Sequence, residues 1–168
     1  MPRTGKQPLD LHERALRLLA VRPRSRRELE IRLLRAGFDR DEVQDELIRL
    51  EAVGLIDDEA FARALAEHHV SARRSGRRAV VGALAAKGVS RSVIEEAVAS
   101  LGEDEAERAR TLARERAFRL AGLPSDKAFG RLSALLMRRG YDPGTAREAA
   151  RSALRLVEGE EDARSEGV

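Results

Sequence analysis

The sequence predicts an all-α chain built as an elongated row of three tandem three-helix units, and three observations predict it. Hydrophobic residues make up 42%, charged residues 36% and aromatic residues only 3% of 168 positions, a composition of long charge-faced helices and far from that of a β-sandwich. Gly37, Gly88 and Gly140 lie 51 and 52 residues apart, and setting them in register aligns five apolar columns. Four before each stands Leu33, Leu84 or Leu136; eight before, Leu29, Val80 or Leu132; one after, Phe38, Val89 or Tyr141. Six after stands Val43, Ile94 or Ala146, and ten after, Leu47, Val98 or Ala150. Steps of four are helical, and a glycine between two such runs fits the left-handed C-cap that a Cβ penalises. The third observation is that a capping residue follows each glycine at the same distance, two residues on: Asp39, Ser90 and Asp142.

Taken in order, the first lead helix runs from Leu9 to Ala20 and is closed off by Pro23. Ser25-Arg26-Arg27-Glu28 reads as a capping box, with the Ser25 hydroxyl accepting from the Glu28 amide and the Glu28 carboxylate reaching back to the Ser25 amide. That helix ends at Gly37, Asp39-Arg40-Asp41-Glu42 opens the next, and Gly54 closes the unit. A lead helix from Asp58 to about Ser71 follows. Asp57-Asp58-Glu59 could be drawn as a divalent-metal cluster, but acids in a first turn are accounted for by orphan amides and the helix dipole. The Arg74-Ser75-Gly76 turn separates this helix from the one ending at Gly88, Ser90 caps its partner, and Gly102 ends the unit. The third lead helix runs from Glu103 to about Ala121, Gly122-Leu123-Pro124 breaks it, and Asp142 with Pro143 at the first helical position starts the last helix. Nine helices thus fall into units at 9–53, 57–101 and 103–157, flanked by disordered tails at 1–8 and, acidic, at 158–168. Three short helices share little apolar surface, so each unit packs on itself and its neighbour, and the radius of gyration exceeds the roughly 15 Å of a compact globule.

Composition also narrows the chemistry. With no cysteine there is no disulfide, thiolate metal site or catalytic thiol, and His12, His68 and His69 do not make a familiar zinc cluster. His68 and His69 are adjacent, about 100° apart on a helix, so they do not converge on one metal, and a surface or interface role fits them better. Gly82-Ala-Leu-Ala-Ala-Lys87-Gly88 has lysine where a phosphate-binding loop has its second glycine. No catalytic set stands out, and no cofactor or metal is called for. No apolar run approaches eighteen residues, and Met1 to Asp10 holds Pro2, Gly5, Lys6 and Pro8 in place of a signal core. The expected molecule is soluble, cytoplasmic, free of membrane contact and monomeric.

What remains is charge, distributed in blocks. Asp41 to Glu67 holds nine acids against two bases; His68 to Ile94 holds no acid and six bases; Arg119 to Arg155 holds eight bases against three acids. Such polarity suits charged partners. Arg26 and Arg27 recur as Arg77 and Arg78, each pair in a first turn where cations oppose the dipole, and an unfavourable placement made twice suggests use. Arg35, Lys87 and Arg139 precede the turn glycines, where a base favours the helix end, so their plain reading as solvated cations is stronger. With Arg73, Arg74 and Arg91 the central cluster can neutralise phosphates of a nucleic acid or carboxylates of an acidic protein. With one Tyr, four Phe and no Trp, Phe38 and Phe61 fill core positions better than they stack on bases.

These residues resemble a known family, the RecX regulatory proteins, modulators of the RecA recombinase. Ser25-x-x-Glu28-Leu29 with Leu33 and Gly37-Phe38 resembles the family's first segment, and Gly54-Leu55-Ile56-Asp57-Asp58-Glu59-Ala60-Phe61-Ala62 resembles its most distinctive one. Arg73-Arg74-Ser75-Gly76 with Leu84, Lys87-Gly88-Val89 and Ile94 matches the next, and Leu132, Leu136 and Arg138-Arg139-Gly140-Tyr141 the last. The likeness covers about Ala15 to Leu156. It implies a curved row of three-helix repeats and a non-catalytic regulator in DNA repair and the SOS response. Such a regulator binds RecA in its filament groove and restrains recombinase, ATPase and coprotease activity. The candidate RecA- and DNA-binding residues are Arg26, Arg27, Arg35, Arg73, Arg74 and Arg77, with Arg78, Lys87, Arg91, Arg138 and Arg139. DNA contact, to single or double strands, is expected to be weak and non-specific. The competing reading is a helix-turn-helix DNA-binding protein acting without recombinase.

Overall fold

The computed structural model describes residues 10–120 and 122–165, with side-chain surroundings as far as Val157. Among the described residues it is an elongated all-α array of three tandem three-helix units, with no strand. The first unit holds α1 (Leu11–Val21), α2 (Arg26–Arg35) and α3 (Arg40–Ala52). The second holds α4 (Asp58–Ser71), α5 (Arg77–Ala86) and α6 (Arg91–Ala99). The third holds α7 (Glu105–Ala117), a 3-10 turn at Phe118–Leu120, α8 (Ser125–Arg138) and α9 (Pro143–Ser165). No helix among the described residues is long and apolar enough to cross a membrane.

Each unit has its own core, as the aligned columns require. Leu29 and Leu33 on α2 meet Val43, Leu47 and Leu50 on α3 over Ala15 of α1. Val80, Leu84 and Ile94 pack on Ala62 and Ala66 of α4. In the third unit alanines face alanines, Ala109 and Ala113 of α7 against Ala146, Ala149 and Ala153 of α9, which lets these helices run close together. Phe38 and Phe61 are partly buried against the first and second cores.

The three glycine turns are built alike. Gly37, Gly88 and Gly140 sit at φ of 94°, 71° and 89°, in the left-handed region where a Cβ is strained. At each, the next residue's amide reaches back five positions: Phe38 to Leu33 O, Val89 to Leu84 O and Tyr141 to Leu136 O, at 3.2–3.4 Å. Asp39 accepts from the Asp41 amide, Ser90 from Val93 and Asp142 from Thr145, so the caps stand where they are expected. Asp57 caps α4 by accepting from Ala60 at 2.8 Å.

Two expectations need correction. The capping box at Ser25 is half formed: its hydroxyl oxygen accepts from the Glu28 amide at 3.1 Å, but the Glu28 carboxylate faces Arg22 and Lys87 instead of returning to Ser25. An ion pair with two cations outweighs one neutral amide. The acidic stretch after Val157, expected to be disordered, continues α9 as backbone helix through Ser165. No proline interrupts it, and extending an existing helix fixes one residue per hydrogen bond gained, without the cost of nucleation. The expected N-terminal tail at 1–8 and the last residues 166–168 lie outside the described residues.

Candidate interaction surface

Every hydrogen bond between units among the described residues joins neighbours, and the two joints repeat one plan. In each, the N-terminus of the middle helix sits on the glycine turn of the next unit. At the first joint the Ser25 hydroxyl donates to Lys87 O at 2.6 Å; at the second, the Gly76 amide donates to Arg139 O at 2.9 Å. Lys87 and Arg139 are equivalent, each preceding its turn glycine. The next amide in each case finds a carboxylate at the start of the following lead helix: Arg26 N–H to Asp58 Oδ1, and Arg77 N–H to Glu105 Oε1, both 2.8 Å. Burial, the larger influence, raises the Asp58 carboxyl against the opposing hydrogen bond from Arg26. The second joint is tighter. A Cβ on Gly76 would lie 2.5 Å from the Tyr141 nitrogen, and one on Gly140 would lie 2.5 Å from the Ala79 nitrogen. Arg78 N–H donates to Gly140 O at 3.1 Å, and Tyr141, fully buried, donates its hydroxyl to Arg74 O at 3.0 Å.

This plan sorts the candidate cations. Arg26 and Arg77, the first of each recurring pair, are both engaged: the Arg77 side chain crosses the second joint, while the Arg26 side chain turns back to α3 of its own unit and only its amide crosses the first. Arg26 pairs with Glu51 at 3.0 Å and donates to Gln44 at 2.9 Å, while Arg77 pairs with Glu105 at 3.4 Å and donates to Gly102 O. Their placement against the dipole is offset by the carboxylates that share each helix end. Arg27 lies over Gly88 and bonds the buried Glu30 at 2.5 Å. Lys87 ties the units together through Glu28 at 2.7 Å. Burial alone would raise the Glu28 carboxyl, but the hydrogen bonds of Arg22 and Lys87 hold it at about 2. Arg74, at φ 50°, pairs with Glu115, and Arg139 donates to Arg73 O at 2.6 Å. Arg91 pairs with Glu95 in open solvent, which contributes little.

Arg35, Arg73, Arg78 and Arg138 remain exposed, without an ion-pair partner for their side chains among the described residues. Arg73 and Arg78 flank the second joint, with Arg139 beside them. Arg35 lines an open groove of about 400 Å³ on the first unit together with Arg14 and Arg32. Arg138 lines another of about 440 Å³ on the third, together with Arg116, Arg119 and Arg131. Sequence reasoning does not single out those five further arginines, because the grooves join residues of two helices each; the eight-to-three excess of bases from Arg119 to Arg155 is a signal for Arg119 and Arg131 only. His68 is exposed and His69 buried, so the two do not act together. Burial, with Arg73 and His68 adding to it, keeps the His69 imidazole below its usual range.

Three models of the RecX three-helix domains match this chain in order: the first at residues 12–50, the second at 57–98 and the third at 103–150. The chain is 40% identical to the regulatory protein RecX of Streptomyces coelicolor over 155 residues, covering 89% of this chain and 82% of that one. It is 36% identical to the regulatory protein RecX of Chlorobaculum tepidum over 154 residues, 92% of each. The crystal structure of RecX from Lactobacillus salivarius shares its fold with a TM-score of 0.77 at 22% identity, over 87% of this chain and 95% of that one.

Proposed function

Since this chain belongs to the RecX regulatory family, we propose that it is a non-catalytic regulator that binds the RecA nucleoprotein filament and restrains its recombinase, ATPase and coprotease activities. The observation that carries this reading is the order of the units: all three family domains are present in sequence and joined by two repeated hydrogen-bonded seams. A row so joined reaches along a filament as one body, bridging neighbouring protomers. Weak contacts on one rigid frame add through effective concentration, so the row binds far more tightly than any unit alone. It shifts filament assembly only through its different affinity for assembled and free recombinase. Arg73, Arg78 and Arg35, without an ion-pair partner among the described residues, supply cations toward recombinase carboxylates or DNA phosphates.

In the first unit the helix-turn-helix alternative is disfavoured by charge. In that class the helix after the tight turn enters the major groove. Here α3 would carry Asp41, Glu42 and Asp45, all exposed, into the phosphates. The test is RecA ATPase on single-stranded DNA with the chain titrated in, alongside filament lengths by electron microscopy. The expected result is a falling rate and shorter filaments, with the effect weakened in Arg73→Ala/Arg78→Ala. Unchanged rate and unchanged length with wild type refute the reading.

A further inference from the structure

We propose that the third unit of one copy takes helix α3 of a second copy, so that chains associate head to tail. The groove between the end of α7 and α8 has an aliphatic floor, including Leu120 and Leu135, rimmed by Arg116, Arg119, Arg131 and Arg138. None of these guanidinium groups has an ion-pair partner among the described residues. No aromatic ring lines the groove, so it is built for aliphatic side chains and carboxylates and not for stacked bases.

Helix α3 presents the complement. Asp41, Glu42 and Asp45 are exposed, without ion-pair partners among the described residues, and Ile48 beyond them is 57% exposed. Asp41, Asp45 and Ile48 follow at steps of four and three, one stripe about 10 Å long at 1.5 Å per residue. Arg131 and Arg138 are also seven apart, with Leu135 between them, so the two stripes match in length. The match is one of net charge and length: Asp41 meets an arginine at one end, Asp45 lies opposite Leu135 within the arginine rim, and Ile48 lies along the aliphatic stem of the arginine at the other end. The charge blocks agree: α3 carries five acids to two bases, and Arg119 to Arg155 carries eight bases to three acids.

The two surfaces lie on the first and third units, so the contact is heterologous and extends into rows of copies instead of closing as a symmetric pair. Its rim charges are solvent-facing, so it is screened by salt and the dilute chain is a monomer. On a filament it would seat successive copies end to end.

The test is sedimentation velocity on the whole chain, freed of nucleic acid, at rising concentration in low and high salt. The weight-average sedimentation coefficient is expected to rise roughly 1.5-fold in about 50 mM salt and to stay constant in about 0.5 M. Arg119→Glu/Arg131→Glu and Asp41→Lys/Asp45→Lys each abolish the rise, while a chain carrying all four substitutions associates again. These residues are exposed, and far-UV circular dichroism checks that each variant folds. Wild type that stays monomeric throughout overturns the proposal, as does a groove that takes a labelled single-stranded oligonucleotide or an acidic peptide but not a second copy. Association unaffected by either pair, or no recovery in the fourfold variant, overturns it too. None of the four positions is among Arg35, Arg73 and Arg78, so losing self-association is distinct from losing the recombinase effect.

Discussion

Replacing the three turn glycines one at a time by alanine separates the cost of a left-handed turn from the cost of opening a joint. All three have positive φ, so each substitution pays about 1 kcal/mol for the conformation alone. A Cβ on Gly37 meets nothing within 4 Å, and Gly37→Ala should stop at that figure. On Gly88 it meets the Arg27 side chain, 2.6 Å from its Cβ, which can turn aside by loosening the bond to Glu30. On Gly140 it meets backbone, 2.9 Å from Ala79 Cα, which cannot move without parting Gly76 N–H from Arg139 O and Arg78 N–H from Gly140 O. Overpacking of this kind adds about 1–3 kcal/mol, so Gly140→Ala should cost about 2–4 kcal/mol and Gly88→Ala an intermediate amount. Tyr141 is the chain's one tyrosine, there is no tryptophan, and its hydroxyl bridges the second joint to Arg74 O. Urea unfolding followed by tyrosine fluorescence therefore reads that joint directly. Equal losses for Gly37→Ala and Gly140→Ala would refute the joint as described.

The other predictions rest on charge and shape. Glu28, held at about 2 against an ordinary value of 4.5, contributes stability that is full above pH 4.5 and lost as pH falls toward 2. Glu28→Gln should remove about 2 kcal/mol of that acid dependence after screening, seen as a flatter stability profile between those pH values. Arg77→Ala should lower stability by about 1 kcal/mol because it parts the second joint, and Arg26→Ala by a similar amount because it frees α2 from Glu51 and Gln44 of α3, with thermal melting as the readout. Arg73→Ala/Arg78→Ala should melt like wild type yet reduce the slope of log DNA affinity against log salt by about 1.5, if both meet phosphate. Small-angle scattering of dilute protein in high salt should give a radius of gyration well above the roughly 15 Å of a globule this long, and a value near 15 Å would contradict the row.

The helix boundaries were legible because their signals are local. Gly37, Gly88 and Gly140 need only their own φ, and Asp39, Ser90 and Asp142 reach amides within three residues. The joints were not, since Ser25 meets Lys87 across 62 positions and Arg139 meets Arg73 across 66. The recurrence of Arg26-Arg27 as Arg77-Arg78 was visible, but what the first of each pair faces lies far along the chain, Glu51 of α3 for Arg26 and Glu105 of the next unit for Arg77. Hence the candidate patch divides into cations that hold the array together and cations left for a partner, a division that charge counting alone does not make. The extension of α9 past Val157 was misread because its acidic composition resembles a solvated tail, while helix propagation needs no apolar face.

The most direct test of the central claim is a cryo-electron microscopy reconstruction of the chain bound to a RecA filament on single-stranded DNA. It should show an unbroken three-unit row lying along the helical groove, with different units touching successive protomers. Density confined to a filament end, or a chain holding one protomer through a single unit, would contradict it.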